Sequence, residues 1–184
     1  MTVSTHSYAD VLQFWFEELT PEQWFTKSDA LDELIRERFA ATLIAASQAE
    51  LWFWRTSAEG RLAEIIVLDQ FSRNIYRDSP KAFTQDAMAL VLAQEAVALG
   101  LDQQLNVTEK AFLYMPYMHS ESALIHEVAV QLFSQPGLET NYDFELRHKV
   151  IIDRFGRYPH RNAILGRVST RDEVEFLKQP GSSF

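Results

Sequence analysis

The stretch from Leu62 to Arg77 constrains the fold of this chain more than any other part of the sequence. Apolar residues follow Leu62 with the i, i+3, i+4 spacing of a helix that faces a core, and others cover most of the remaining circumference. A helix that is apolar nearly all round is normally buried. At about 100° per residue, Asp69 and Arg73 fall within roughly 20° of Leu62, on the middle of the apolar stripe. We therefore predict a buried central helix that carries an i, i+4 acid–base pair on a core face.

Polar residues also interrupt apolar stripes elsewhere in the chain. Glu121 lies four residues before Ile125 and extends an apolar stripe, and His148 lies in line with Phe144 and Ile151. Because an unpaired charge in a core costs several kcal/mol, these groups should be paired or bound by other polar groups. The candidate ligand-binding residues are Asp69, Gln70, Arg73, Asn74, His119, Glu121, His148, Arg154, Arg157, His160 and Arg161.

The rest of the chain consists of helical patterns separated by turn signals. Ser7 and Asp10 have the spacing of a capping box at the start of a helix, and Thr108 is predicted to cap a later one. No segment alternates apolar and polar residues with a period of two over a β-branched run, so no strand is predicted. We predict a single all-α domain of antiparallel helix pairs over residues 1–184, with a frayed tail at about 178–184.

The composition narrows the classes of function. The chain has 17 basic and 26 acidic residues and a net charge of −9, which argues against a nucleic-acid partner and against attraction to anionic membranes. It contains no cysteine, so disulfides, zinc–thiolate sites, iron–sulfur clusters and cysteine nucleophiles are excluded. HExxH, EF-hand, phosphate-loop and GxSxG motifs are absent. We predict neither a metal site nor a cofactor.

The N-terminal segment 1–7 has no basic stretch followed by an apolar one, so no signal peptide is predicted. No run approaches the 18 apolar residues of a membrane-spanning helix. We expect a soluble, cytoplasmic protein with no membrane partner. The sequence leaves open whether the chain forms a homo-oligomer.

Three runs resemble the bacterial proteins catalogued as domain of unknown function 924. They are 68–77, 114–121 and 155–162. The resemblance covers essentially the whole chain and implies a tetratricopeptide-like fold of stacked helix hairpins. Such folds commonly present a concave surface to peptides. The family has no established activity that would give any residue of this chain a catalytic role.

The leading hypothesis for function is a binding module whose polar pocket takes a small anionic metabolite or an acidic peptide end. Arginine suits this role because its guanidinium binds carboxylate or phosphate with two parallel hydrogen bonds. The pocket would be lined by Asp69, Gln70, Arg73, Asn74, His119 and Glu121, with positive charge from Arg154, Arg157, His160 and Arg161.

A cofactor-free hydrolase or lyase is the second hypothesis. Asp69 or Glu121 would be the general base, and His119 or His160 the acid. It predicts a contact between a histidine and a carboxylate on the wall of an open cleft.

The third hypothesis is purely structural. Asp69 and Arg73 would tie helices together, and His148 would be a hydrogen-bonded core histidine. Function would then depend on a protein–protein surface, and we would expect a contiguous exposed apolar patch around Trp52–Trp54.

Overall fold

The structure is a computed structural model that describes residues 5–184, and these residues form helices joined by short turns, with no strand among them. The prediction of an all-α chain is confirmed. The α-helices are α1 (Tyr8–Gln13), α2 (Pro21–Phe25), α3 (Asp29–Ser47), α4 (Ala58–Ile66), α5 (Ser72–Ile75), α6 (Asp86–Ala98), α7 (Val107–Met118), α8 (Ala123–Phe133), α9 (Glu139–Phe155) and α10 (Arg171–Phe176). The 3₁₀ helices are Trp52–Thr56, Pro80–Phe83, Leu101–Gln104 and Pro159–Arg161, and π-helical turns lie at Phe14–Glu18 and Val67–Phe71.

Helix α4, the π turn Val67–Phe71 and α5 follow one another without a break and form the central helix. Every residue from Leu62 to Ser72 is buried. Helix α4 packs on α1, α6 and α7, whereas the π turn and α5 pack on α3. The buried central helix predicted from the apolar pattern is therefore present. The pattern did not predict its π turn, which is a feature often found at functional sites.

The capping chemistry agrees with the sequence at most helix starts. Ser7 Oγ accepts a hydrogen bond from the Asp10 amide over 3.2 Å, and Asp10 Oδ2 accepts one from the Ser7 amide over 2.8 Å. One predicted cap was wrong: Asn106, not Thr108, caps α7, and it forms a capping box with Glu109. Asparagine is as good an N-cap as serine or threonine. Thr108 lies inside the first turn of α7.

Helices α6 to α9 pack as consecutive neighbours, each against the next. Pro116 lies inside α7, which continues for two more residues to Met118. His119 then caps the helix, and a short link leads to α8. The tetratricopeptide-like arrangement of these hairpins stays a prediction.

The C-terminal part of the chain lies against α9. Tyr158 is fully buried and packs with Ile151 and Ile152 in a second, smaller apolar cluster. The fraying expected at about 178–184 stays a prediction; in that segment Ser182 Oγ donates to the Leu177 carbonyl over 3.2 Å. The ring of Phe184 stacks on His148 with a centroid distance of 3.8 Å.

Within residues 5–184, no helix is both long enough and apolar enough to cross a membrane. The prediction that the chain lacks a signal peptide depends in part on residues 1–4, which lie outside the described part.

Candidate functional site

The π turn Val67–Phe71 presents Asp69 to the interior, where both of its carboxylate oxygens have partners. Asp69 is only 1% exposed. Gln70 Nε2 donates to Oδ2 over 2.6 Å, while Arg73 Nη1 and His119 Nδ1 lie 3.0 Å and 2.8 Å from Oδ1. The i, i+4 pair predicted from helical spacing is present, and a histidine from the end of α7 joins it.

The environment of Asp69 keeps its carboxyl group ionised. Burial by itself raises the pKa of this group, but the positive charge of Arg73 and the contact with His119 outweigh burial and hold the pKa well below its ordinary value. The hydrogen bond from Gln70 acts in the same direction. Asp69 is therefore an anion with fixed partners.

His119 is the neutral partner of that anion. Burial lowers the pKa of the His119 imidazole; Asp69 opposes this effect, and the charge of Arg73 adds to it. A neutral imidazole beside an ionised carboxylate carries its proton on the nitrogen that faces the carboxylate, so Nδ1–H donates to Asp69. Nε2 then has a free lone pair.

Arg73 connects this pair to α6. Its Nη1 donates to Asp86 Oδ1 over 2.8 Å and its Nη2 to Asp86 Oδ2 over 3.0 Å, the two parallel bonds of a strong arginine–carboxylate pair. Nη1 also donates to the main-chain oxygen of Asp69 over 2.8 Å. One guanidinium thus serves both carboxylates.

His119 and Asp86 lie on the wall of an open cleft of about 560 Å³, and Asp69 is buried behind His119. The cleft lies between the 3₁₀ helix Pro80–Phe83, the first turn of α6, the end of α7 and the segment that follows α9. His119 lines it with a side chain that is 18% exposed. The other lining residues are Pro80, Phe83, Thr84, Asp86, Ala87, Leu90, Pro116, Ser120, Glu121, Arg161 and Leu165.

Arg161 is the arginine that lines the cleft, and its guanidinium has few acceptors. Its guanidinium carbon lies 4.6 Å from the ring centres of both Phe83 and Tyr158. Nη2 donates to the His119 carbonyl over 3.1 Å, and Nη1 reaches Asp86 only at 3.4 Å. Its Nε is buried and has no acceptor within residues 5–184. Burial, with the nearby charge of Arg73, lowers the pKa of Arg161, although a guanidinium remains a cation at neutral pH.

Glu121 holds the segment that carries Arg161. Its carboxylate accepts two bonds from Arg167, of 2.6 and 2.9 Å, and a third of 2.7 Å from the Tyr158 amide. Burial raises the pKa of Glu121, but the bond from Arg167 and the Tyr158 amide outweigh it and lower the pKa. Glu121 is fully engaged as an acceptor, so it does not fit the role of general base considered for it above.

Several predicted site residues lie away from the cleft lining. Asn74 Nδ2 donates to Asp32 Oδ1 over 2.8 Å and so faces α3. Arg157 pairs with Glu173 through bonds of 2.7 and 2.8 Å. The guanidinium of Arg154, an exposed residue, lies 4.6 Å from the centre of the Phe155 ring. Gln70 is 8% exposed and acts through its bond to Asp69.

The two remaining candidate histidines do not line the cleft; His148 is buried and His160 is partly buried. His148 Nδ1 donates to the Phe144 carbonyl over 2.7 Å, and burial lowers its pKa to about 3. Burial and the charge of Arg161 lower the pKa of His160 to about 4. Its Nδ1 has no hydrogen-bond partner among the described residues. Nor does any group of three or more histidine, aspartate or glutamate side chains in residues 5–184 have an arrangement that holds a metal ion.

Sequence reasoning missed two residues that organise this site. Asp86 begins α6, where an acidic residue is common for reasons of helix stability alone, so nothing in the local pattern distinguished it. Arg167 lies in a turn region without helical periodicity. Arg167 follows Glu121 by more than forty residues, so no spacing pattern links the two.

A second histidine–carboxylate pair lies behind the cleft wall and is closed to solvent. His126 and Glu145 are both 0% exposed, and Nδ1 lies 2.6 Å from Glu145 Oε1. His126 Nε2 donates to the Ser120 carbonyl over 2.8 Å. The Tyr158 hydroxyl oxygen lies 3.3 Å from the same nitrogen. Both nitrogens of this ring are used inside the protein.

Fold and site together define an all-α protein in which a π turn presents a carboxylate to a histidine at the edge of a cleft. The chain belongs to the family described as bacterial protein of unknown function (DUF924), whose model matches residues 11–181. The resemblance inferred from the three sequence runs is therefore confirmed.

The solved structure of a protein of unknown function from Agrobacterium tumefaciens is similar to this chain. The two are 35% identical and superpose with a TM-score of 0.88. The match covers 93% of this chain and 96% of the other. No curated protein matches the sequence significantly. The comparisons support the fold and the family, and they carry no activity.

Proposed function

We propose that the chain is a binding protein whose cleft takes a small anionic molecule. The observation that carries the proposal is that the guanidinium of Arg161 has few hydrogen-bond acceptors. Asp86 is bound by both terminal nitrogens of Arg73, and Glu121 by both terminal nitrogens of Arg167. Among residues 5–184, the acceptors of Arg161 are Asp86, at 3.4 Å, and the His119 carbonyl. It is the cation of the cleft wall with donors left for a ligand.

The shape and lining of the cleft favour a small ligand. A volume of about 560 Å³ lies within the roughly 300–1,000 Å³ of typical ligand pockets. Phe83, Leu90 and Pro116 supply apolar contact, while His119 and Arg161 supply the polar groups that set orientation. A ligand with a carboxylate or phosphate on Arg161 and a donor group on His119 Nε2 satisfies both.

A thermal-shift screen with small carboxylates, phosphate esters and acidic peptides tests the proposal. A ligand at about 100 times its dissociation constant adds roughly 2.7 kcal/mol to stability, which for a chain of this size raises the melting temperature by about 5–10 °C. The shift should disappear in Arg161→Met and persist in Arg154→Met, a matched control because Arg154 lies outside the cleft lining. A shift from peptides alone would favour the peptide-end alternative. Shifts that Arg161→Met leaves unchanged would contradict the proposal.

A protein-interaction surface is the second candidate, favoured by the exposure of Trp52 and Phe53. These side chains are 67% and 52% exposed, whereas Trp54 is buried. Exposed aromatic residues of this size are enriched at protein interfaces. Sedimentation of the full chain and of Trp52→Ser/Phe53→Ser tests a homo-oligomer at this surface. An oligomer that the double variant dissociates supports the candidate, and a monomer at all concentrations counts against it.

A further inference from the structure

We infer that Asp69 and His119 form a catalytic pair, in which His119 Nε2 is the general base for hydrolysis of esters of small anionic acids. This inference rests on the proposed function, because the cleft has to bind the acid part of the substrate through Arg161. It adds a reaction to the binding site and assigns one role to each member of the pair. His119 acts on the reacting atoms, and Asp69 is a positioning residue.

The geometry of Asp69 determines which nitrogen of His119 is free. Oδ1 faces His119 Nδ1 at 2.8 Å, and Oδ2 is bound by Gln70 at 2.6 Å, so the carboxylate cannot turn without losing a partner. An ionised carboxylate accepts hydrogen bonds only, which places the proton on Nδ1. A carboxylate that fixes the tautomer and orientation of a histidine in this way is the arrangement of acid–base triads.

The second nitrogen of His119 is open to the cleft. No atom of residues 5–184 is hydrogen-bonded to Nε2. Nε2 is not enclosed by the protein. The side chain lines the cleft with 18% of its surface exposed. A neutral imidazole with an accessible lone pair can take a proton from a water molecule that lies between it and a bound ester.

The reaction balances with water as the only co-reactant. Nε2 removes a proton from water while the water oxygen bonds to the ester carbonyl carbon, and the carbonyl electron pair moves to its oxygen. When that pair returns, the bond between carbon and the leaving oxygen breaks. The proton held on Nε2 passes to the leaving oxygen. The products are an acid and an alcohol, and His119 is neutral again.

Two chromogenic esters test the inference on the full chain: neutral 4-nitrophenyl acetate and the mono-4-nitrophenyl ester of succinic acid, which carries a carboxylate. Loss of a general base typically costs about 10²–10⁴ in rate. We therefore expect His119→Gln to lower kcat/KM for both esters at least 100-fold. His6→Gln is the control, because His6 is a partly exposed histidine outside the cleft lining, and it should stay within twofold of the parent. Equal rates for the parent and His119→Gln overturn the inference.

The role of Asp69 has its own readout, the pH profile. His119 is faced by Asp69 and Arg73 from the central helix, by Asp86 from α6, and by Glu121, His148, His160 and Arg161 from the elements around the cleft. The rate should rise with pH through the lowered pKa of His119 and be flat at neutral pH. Asp69→Asn should lower the plateau at least tenfold and move the rise to lower pH, because the stabilising anion is gone. A plateau and rise unchanged in Asp69→Asn would contradict the positioning role.

A chemical measurement on the unmodified chain covers the case in which variants fold poorly. Diethyl pyrocarbonate acylates accessible neutral imidazole nitrogens. Peptide mapping should show acylation of His119 at least tenfold faster than of His126, His148 or His160, with ester hydrolysis lost in parallel. An unmodified His119 in a chain whose other histidines react overturns the inference.

The two proposals fail in different ways. We expect the parent chain to hydrolyse the succinate ester faster than the acetate ester. If Arg161→Met abolishes this preference but leaves hydrolysis of the acetate intact, anion binding and the catalytic pair both stand. If there is no such preference while His119→Gln is inactive, the catalytic pair stands and anion binding fails. If anions raise the melting temperature but His119→Gln hydrolyses normally, binding stands and catalysis fails.

Discussion

The cleft and the core behind it each contain a histidine whose Nδ1 lies against a carboxylate, yet the two pairs differ in every respect that matters for chemistry. Asp69–His119 has a separation of 2.8 Å and Glu145–His126 one of 2.6 Å. The first ring lines a cleft, whereas the second is 0% exposed. His126 Nε2 is bound to the Ser120 carbonyl, while His119 Nε2 has no hydrogen-bond partner among residues 5–184. The second nitrogen, not the carboxylate contact, separates a reactive pair from a structural one.

The neighbouring charge also differs. Arg73 lies 3.0 Å from Asp69 and keeps that carboxyl ionised. Burial raises the pKa of Glu145, and the bond and charge of His126 offset this effect only in part. The buried pair is a hydrogen-bonded link between α8 and α9, and burial favours the neutral form of its carboxyl group.

The largest expected effect comes from removing the charge that makes the open pair different. Arg73→Met leaves Asp69 and Asp86 without their shared cation. Removing one partner of a buried ion pair costs about 3–5 kcal/mol, which lowers the melting temperature by roughly 10 °C for a chain of this length. Calorimetry measures this change in melting temperature. Lys27→Met is the control, since its pair with Asp78 is exposed on both sides. A melting temperature like that of the control would mean that Arg73 is not needed for the pair.

Neutralising each carboxylate in turn compares the pairs directly. Asp69→Asn removes the anion from a site that still holds Arg73, and we expect a loss of about 3 kcal/mol. Glu145→Gln keeps the shape of the buried link and an oxygen that can accept a hydrogen bond from His126 Nδ1, so we expect a loss below about 1 kcal/mol. Urea denaturation gives both values. Equal losses would show that the two carboxylates have the same charge state in the folded chain.

The pH dependence of stability tests whether buried His148 stays neutral in the folded chain. A histidine with a lowered pKa in the folded chain leaves the unfolded chain with more bound protons between the two pKa values, so stability falls as pH drops through that window. For His148 the window runs from about 6.5 in the unfolded chain to about 3. Between pH 6.5 and pH 5 the parent chain should lose about 2 kcal/mol of stability through His148. His148→Gln should not show this part of the loss.

Glu145 acts in the opposite direction in that experiment. Its pKa is raised in the folded chain, so its contribution is present at low pH and is lost as pH rises. Glu145→Gln should therefore steepen the loss of stability as the pH falls below the raised pKa of Glu145. Urea midpoints at several pH values measure the effect in Glu145→Gln and in His148→Gln. An unchanged slope in His148→Gln would show that His148 does not stay neutral in the folded chain.

The smallest expected effect concerns the segment that completes the cleft. Arg167→Met removes the clamp on Glu121, and because both side chains are about one quarter exposed we expect a loss of only about 1 kcal/mol. Amide exchange should quicken at 158–167, which carries Arg161, and stay unchanged at α8 and α9 around the buried pair. Equal acceleration of exchange at 158–167 and at α8 and α9 would mean that the surroundings of Asp69–His119 and of Glu145–His126 unfold together.

Local features of this protein were determined by the sequence alone. Helical spacing and helix capping depend on residues that are close together along the chain. The all-α fold, the buried central helix and the contact of Asp69 with Arg73 therefore followed from the sequence. The same spacing placed Asn74 with the candidate site, but Asn74 faces α3. Proximity along a helix does not say which neighbouring element a side chain meets.

Only the tertiary structure decided which distant groups meet. His119 reaches Asp69 from 50 positions away, and Arg161 reaches Asp86 from 75. Such pairings depend on how helices pack and on the π turn at Val67–Phe71, and neither has a period that can be read along the chain. For the same reason the sequence analysis named His119 without showing how it differs from His126: the difference is whether the second ring nitrogen meets a cleft or a carbonyl.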